Sequence, residues 1–269
     1  MKAEPGRLRF PFGATLAFGA LAFLYLPIIV LIVLSFNASD ITTIWTGFST
    51  RWYDSALNNS DMLRALLNSL IVATSATILA VMMATAAALG IPAFNRRGPA
   101  ESLVGLPLLV PEIVTAVALL VLFVSTGFRL GLVTIILAHT VFCIPFAYYP
   151  IRSRLAGLDP ALLEAGSDLY ATSWRRFLRI EMPLLAPGML AGALLSFISS
   201  LGDFVVTYFV SGPGSTTLPV YIYGLIRVGV TPEVNALSAL LLAATLPAIA
   251  LAFVLRSPTV QPNNGANTP

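Results

Sequence analysis

Six long apolar stretches run through this sequence of 269 residues and decide what it can fold into. A helix needs about 20 consecutive apolar residues to cross a hydrocarbon core of about 30 Å, and each stretch meets that length. The stretches are Pro11–Ser35, Met62–Ile91, Leu103–Thr126, Leu130–Tyr149, Leu184–Val210 and Val234–Leu255. Hydrophobic residues make up 57% of the chain and charged residues only 10%, which excludes a water-soluble or disordered protein. The sequence therefore predicts an all-α integral membrane protein with six transmembrane helices.

The positions of the basic residues predict the orientation of these helices. With both termini on the cytoplasmic side, eleven basic residues fall on the inner segments and four on the outer ones, as the positive-inside rule requires. Residues 1–10 are then a cytoplasmic N-terminus ahead of an uncleaved first span, and residues 11–255 form the transmembrane domain. Residues 256–269 are polar, lack periodicity and are predicted to be a disordered cytoplasmic tail. A shorter apolar patch, Leu218–Val230, is interrupted by Pro and Gly and is expected at the membrane interface or as a re-entrant segment.

The residue inventory excludes several kinds of chemistry. Lys2 is the only lysine, and no Gly-rich loop precedes a lysine, so the chain cannot be a P-loop ATPase. His139 and Cys143 are the only residues of their types, which excludes multi-cysteine zinc sites, internal disulfides and histidine-rich metal sites. The pair is four residues apart and is read mainly as helix packing. We expect no resident metal and no catalytic residue, and the net charge of +3 is not a sign of nucleic-acid binding in a membrane protein.

Two acidic residues inside the apolar stretches are the strongest functional signal. Asp203 lies within the fifth stretch, and Glu112 follows Pro111 in the third. A carboxylate in the middle of a membrane helix costs roughly 2.5–3.5 kcal/mol, so it is expected to face a cavity or a partner. Pro107 and Pro111 each remove a backbone donor, which predicts a broken helix lining protein or water. Either the two acids line a path for cations, or they lie near the ends of their spans and reach water.

The connection from residue 151 to residue 183 is the longest predicted cytoplasmic loop. Asp159 and Pro160 are typical of a helix start, and Ser173 is expected to cap a second helix that ends at Met182-Pro183. Trp174, Phe177 and Ile180 recur every third residue, whereas the arginines occupy another face. Such a helix pair either lies on lipid headgroups or docks into a groove of a cytoplasmic partner, and the residues alone leave both readings open.

The stretch EAGSDLYATSWRRFLRIEMP, which runs from residue 164 to residue 183, resembles the EAA loop of ABC importer permeases. In that family the pattern is Glu-Ala-Ala, three residues, Gly, nine residues and then Ile-x-Leu-Pro. The chain keeps Glu164, Ala165, Ile180 and Pro183 at the same spacing. It departs from the pattern at three positions, which hold Gly166, Tyr170 and Met182.

The resemblance covers the chain from about residue 24 to residue 255 and points to the C-type permease subunit of polyamine (spermidine/putrescine) importers. It is carried by YLPIIVLIVLSFN, WTGFSTRWY, HTVFCIPFAYYPIRSRLAGLD and GPGSTTLPVYIYGLIRVGVTPEVNAL. Permeases of this family often have two adjacent acids where this chain has Gly202 and Asp203. One acid instead of two leaves room for putrescine or another small organic cation.

The resemblance implies a type I ABC importer permease fold in the bacterial cytoplasmic (inner) membrane. It implies four kinds of partner: a homologous second permease, an ATPase dimer that binds ATP and magnesium, a periplasmic polyamine-binding protein and the polyamine itself. This chain would hold no cofactor. By the same analogy the coupling residues facing the ATPase are Glu164, Ala165, Gly166, Asp168, Tyr170, Ile180 and Pro183. The residues on or near the substrate route are Asp203, Ser200, Glu112 and Trp45.

Two other classes of function remain as alternatives from the sequence. A secondary transporter driven by an ion gradient also uses intramembrane acids, but the sequence has no evident internal repeat and does have a docking loop. A membrane-embedded enzyme would need clustered His, Cys or carboxylate residues, and only the distant Glu112 and Asp203 are present.

Overall fold

The computed structural model of the protein describes residues 11–42, 44–91, 97–159, 161, 172–229 and 232–254, and within them it is helical. The only extended pairing in this part of the chain is a single antiparallel bridge between Asn37 and Phe48. The helices are α1 (Pro11–Leu34), α2 (Arg51–Asn58), α3 (Ser60–Gly90), α4 (Arg97–Leu109), α5 (Glu112–Ser125), α6 (Leu132–Ala156), α7 (Ser173–Arg176), α8 (Met182–Gly202), α9 (Val205–Val210), α10 (Leu218–Val228) and α11 (Pro232–Val254). The described part of the chain divides into two compact units, one within residues 1–60 with 222–243 and one within residues 61–221 with 244–269.

The described helices support a multi-pass membrane protein. Four are long and apolar enough to cross a bilayer, and the bent pair α4 and α5 makes a fifth candidate. These five correspond to the first five predicted stretches. The sixth falls on α11, whose described side chains end at residue 243, so six crossings and the orientation of the termini stay predictions. The helix α10 has 11 residues, which is too short to span and agrees with an interfacial or re-entrant segment.

The third stretch is broken at the predicted place. The helices α4 and α5 meet at an angle of 102°. Pro111 has no N–H to donate, and its fixed φ suits the position just before a new helix, so α5 begins directly after it at Glu112. Pro107, by contrast, lies inside α4 and does not end it.

The fifth stretch differs from its prediction, which placed Asp203 inside one continuous helix. The helix α8 ends at Gly202, Asp203 adopts an extended conformation, and the short helix α9 starts at Val205. The Asp203 carboxylate accepts hydrogen bonds from the backbone N–H groups of Val206 at 3.4 Å and Thr207 at 2.8 Å. It therefore caps α9, and the favourable geometry of an aspartate at a helix N-terminus explains the break.

One predicted boundary before the fifth span is also wrong. At the start of α7 the Thr172 hydroxyl accepts a hydrogen bond from the Arg175 N–H over 3.4 Å, and the predicted cap by Ser173 rests on a side chain outside the described ones. Met182-Pro183 does not end the second helix, because a π-helical turn at Phe177–Glu181 joins α7 to α8 without interruption. A wider turn relieves the clash between a proline ring and the carbonyl four residues before it, so Pro183 is accommodated.

A row of small residues on α8 lets that helix pack tightly against α6. The row recurs every four residues: Gly188, Gly192, Ser196 and Ser200. A Cβ atom added at Gly192 would lie 2.8 Å from the Ala147 carbonyl oxygen and 2.9 Å from its Cα. Further along the row, the Ser196 hydroxyl donates to the Cys143 carbonyl over 3.2 Å. The two backbones are therefore in direct contact, as at other small-residue interfaces in membranes.

We expect Gly192→Ala to destabilise the protein because the new methyl group meets the α6 backbone, which cannot rotate away. Overpacking of this kind costs about 1–3 kcal/mol. Thermal unfolding in detergent measures the effect. Gly202→Ala on the same helix is the control, since no atom lies within 4 Å of a Cβ there. Equal melting temperatures for the two variants would contradict the tight packing.

The first unit contains an ordered loop between α1 and α2. The Asn37 side chain donates to the Ile44 carbonyl over 2.8 Å and accepts from the N–H groups of Ser39 and Thr46. The indole of Trp52 donates to the Asn37 carbonyl over 2.8 Å. The loop presents Trp45, whose side chain remains about half exposed at 51%.

Several predicted features lie outside the described residues. They are the N-terminal residues 1–10, the tail 256–269 and the coupling positions Glu164, Ala165, Gly166, Asp168 and Tyr170. At the start of their loop, the Asp159 carboxylate accepts from the Ala161 N–H over 2.9 Å, which agrees with the predicted helix start.

Candidate functional site

A cavity of about 500 Å³ lies where the two helix breaks of the second unit come together. Its walls come from the end of α4, the start of α5, the middle of α6 and the junction of α8 with α9. The lining residues are Pro107, Leu108, Val110, Glu112, Thr115, Phe142, Phe146, Ser199, Gly202, Asp203, Phe204, Val205 and Val206. Among the described residues, the charged groups in this lining are the two carboxylates, Glu112 and Asp203. The structure thus brings together the two acids that stand 91 positions apart in the sequence.

Glu112 is the accessible acid of the cavity. It is the first residue of α5 and its side chain is exposed. An acid in the first turn of a helix is stabilised by the partial positive charge of that helix end. The bend at Pro111 therefore both aims Glu112 at the cavity and supplies a favourable place for its charge.

Asp203 is the buried acid, with a side chain only 2% exposed. Besides its bonds to the start of α9, its Oδ2 accepts a hydrogen bond from the Thr207 hydroxyl over 2.8 Å and lies 3.1 Å from His139 Nε2. Several donors thus converge on one carboxylate oxygen, which compensates the loss of water around it.

His139 contacts Asp203, and this contact was not predicted from the sequence. Its ring is 1% exposed and stands between the two sides of the α8–α9 break. Nδ1 lies 2.7 Å from the Ser200 hydroxyl and Nε2 lies 2.9 Å from the Thr207 hydroxyl. The sequence reading paired His139 with Cys143 instead, whose thiol in fact donates to the Ser196 carbonyl. One signal for this contact was present in the sequence. His139 and Cys143 on α6 are four positions apart, and so are Ser196 and Ser200, the residues of α8 that they contact.

The remaining predicted substrate residues lie in different places. Ser200 is buried against His139, whereas its neighbour Ser199 lines the cavity. Trp45 belongs to the first unit. Of the coupling residues, Ile180 lies in the π-helical turn and Pro183 near the start of α8. No group of three or more His, Cys, Asp or Glu side chains in the described ranges is arranged to hold a metal ion.

The cavity has the chemistry of a site for organic cations. Two carboxylates supply negative charge, and the rings of Phe142, Phe146 and Phe204 supply faces that attract ammonium groups. The rest of the lining is mostly apolar, which suits the methylene portion of a ligand. Gly202 opens into the cavity and contributes no side chain.

Comparison with known proteins places this geometry in a family. Residues 80–257 match the family described as "Binding-protein-dependent transport system inner membrane component". The spermidine/putrescine transport system permease protein PotC of Escherichia coli is 38% identical over 246 residues, 91% of this chain and 93% of the relative. The putrescine transport system permease protein PotI of Escherichia coli is also 38% identical over 246 residues, 88% of each chain.

Solved structures show the same fold at lower identity. A bacterial ABC transporter involved in the import of the acidic polysaccharide alginate matches with a TM-score of 0.68 and 14% identity, covering 95% of this chain and 98% of that one. The inward-facing MetNI methionine ABC transporter matches with a TM-score of 0.61 and 18% identity, covering 72% and 94%. The resemblance found in the sequence is thereby confirmed. This chain belongs to the family of binding-protein-dependent transport system inner membrane components and has the fold of ABC importer permeases.

Proposed function

We propose that this protein is the permease subunit of an ATP-driven importer that moves polyamines, or similar small organic cations, across the bacterial cytoplasmic membrane. The observation that carries the proposal is the cavity in which Glu112 and Asp203 face the same space among aromatic side chains. Relatives named for spermidine and putrescine transport support the same substrate class.

The two acids would act in different ways. Glu112 is exposed and able to pair directly with an ammonium group. Asp203 is held by its own donors and would contribute mainly its charge, which acts over several ångströms where water is largely excluded. A diamine could pair one ammonium group with Glu112 while its methylenes lie against Phe142 and Phe146. Ser200 and Trp45 stay candidates for the route, Ser200 through its bond to His139.

A continuous helical segment connects the predicted coupling loop to this cavity. The helix from Trp174 to Gly202 has 29 residues, a length of about 43 Å at the usual rise. The N-terminal end of this segment follows the loop that carries Glu164, and its C-terminal end lies next to Asp203. A displacement of the loop by a partner would therefore move the cavity wall directly. We assign coupling to Glu164, Ala165, Gly166, Asp168, Tyr170, Ile180 and Pro183 on this ground and on the EAA resemblance.

ATP hydrolysis would take place in partner chains. A partner ATPase dimer would bind ATP and magnesium, a homologous permease would complete the pore, and a periplasmic binding protein would deliver the polyamine. This chain would be a transport subunit, not an enzyme, and would hold no cofactor of its own.

Uptake into membrane vesicles tests the proposal. Vesicles containing the assembled complex should accumulate labelled putrescine or spermidine only when ATP and the partner ATPase are present. Vesicles with this chain alone and an imposed proton or sodium gradient are the control. Accumulation in that control, without the ATPase, would replace the proposal with a gradient-driven carrier.

A further inference from the structure

The side chain of His139, on α6, contacts residues on both sides of the break between α8 and α9. Ser200 lies before the break, Asp203 in it and Thr207 after it, and all three lie within 3.1 Å of the His139 ring. Because His139 belongs to α6, its position is set by a helix other than the two that meet at the break. Two helices separated by non-helical residues can otherwise change their angle at a small cost in backbone energy.

The hydrogen bonds place a hydrogen on one of the two ring nitrogens, Nε2. The Thr207 hydroxyl donates its only proton to Asp203 Oδ2, so toward His139 it must accept. Nε2 therefore carries a hydrogen that is directed at Thr207 and Asp203. Nδ1 and the Ser200 hydroxyl, 2.7 Å apart, form the other hydrogen bond of the ring. With a hydrogen on Nε2, each hydrogen bond of the cluster has a donor and an acceptor, and such closed polar networks resist rearrangement.

The position of His139 itself is fixed by the packing of α6 on α8. Gly192 contacts Ala147, Ser196 contacts Cys143 and Ser200 contacts His139, one helical turn apart on each helix. The ring also packs against Phe142, with centroids 4.9 Å apart. His139 is consequently a rigid reference point against which the Asp203 carboxylate is held.

We propose that His139 is a positioning residue that holds the helix break at Asp203 and so keeps that carboxylate turned to the cation cavity. It makes no contact with the substrate in this role. Its importance for uptake rests on the proposed function, whereas its control of the break does not and can be measured without any substrate.

The first experiment measures the local mobility of the chain at the break. Cys143, the only cysteine in the chain, is replaced by Ala, and Gly202→Cys introduces a labelling site where a side chain meets open space. A nitroxide label at position 202 in the assembled complex reports local mobility by electron paramagnetic resonance. His139→Ala should broaden the range of label motion. Thr140→Val is the matched control, because Thr140 is buried on the same helix but bonds only its own Ile136 carbonyl in the described contacts.

The second experiment reads transport. His139→Ala should raise KM for putrescine or spermidine uptake about three- to tenfold, and His139→Gln, whose amide can donate toward Thr207 and Asp203, should recover part of the loss. In an Asp203→Asn background, His139→Ala should cause little further change, because residues acting as one unit are not additive. Complex yield, measured in parallel, separates these effects from failed assembly.

The outcomes are distinguishable. Label spectra that are unchanged by His139→Ala, or uptake losses that simply multiply in the double variant, would overturn the positioning role. Absence of any ATP-dependent polyamine uptake by the wild-type complex would instead overturn the proposed function, and the label experiment would still decide the role of His139.

Discussion

Asp203→Asn is expected to lower polyamine uptake at least about tenfold while the complex still assembles. Asparagine can keep much of the capping geometry, since its Oδ1 is able to accept from the Thr207 N–H and hydroxyl as the carboxylate does. The negative charge beside the cavity is lost, and a tenfold change corresponds to only about 1.4 kcal/mol of interaction with a cation. Initial uptake rates, normalised to the amount of complex, give the measurement.

Two further variants separate charge from structure at this position. Asp203→Leu removes the cap as well as the charge and should also reduce the yield of folded complex, because the buried N–H groups lose their acceptor. Asp40→Asn is the control, since Asp40 forms an exposed ion pair with Arg51 in the other unit. Uptake by Asp203→Asn equal to that of wild type would leave Asp203 with a purely structural role.

Glu164→Ala is expected to abolish ATP-driven uptake, to below about a tenth of the wild-type rate, with permease assembly intact. The reason is the proposed contact of the EAA loop with the ATPase, followed by the helical segment Trp174–Gly202 that leads to the cavity. Loss of a contact at one end of such a segment disconnects ATP binding from the cavity wall without altering the cavity itself. Polyamine-stimulated ATP hydrolysis should fall together with uptake.

Cross-linking identifies what the loop touches. A cysteine at position 165, in a Cys143→Ala background, should link to the ATPase subunit, whereas a cysteine at the exposed position Ser102 serves as a comparison on α4. Capture of lipid alone from position 165, together with normal uptake by Glu164→Ala, would remove the coupling assignment.

Much of this fold is readable from the sequence because bilayers demand long apolar helices and penalise exposed backbone. The first five stretches and the break at Pro111 follow from length, apolarity and the missing proline donor. The break at Asp203 was not predicted, since the apolar run continues through it and the cap depends on donors from the following turn. The π-helical turn before Pro183 was missed for a similar reason, because prolines usually mark helix ends.

The two acids of the site could be predicted from the sequence, but the residues that hold Asp203 in place could not. Intramembrane acids are costly, so Glu112 and Asp203 stood out individually, but only the fold shows that they share a cavity. His139 looked like packing because its partners, Ser200 and Thr207, lie more than sixty positions away in the sequence. The glycine spacing at residues 188 and 192, a known signature of close helix approach, would have indicated which face of α8 meets α6.

The backbone contact between α6 and α8 limits how the cavity can change its shape. Two helices in direct backbone contact are expected to move as one body. The helix α5 packs on the same body, because Ala116 shares a buried core with Ile135 of α6 and Val206 of α9. Under the proposed function we therefore expect a change of the 102° bend to move α4, with Pro107 and Leu108, while the two carboxylates keep their separation. A bound cation would then be released by opening an apolar wall rather than by drawing the two acids apart.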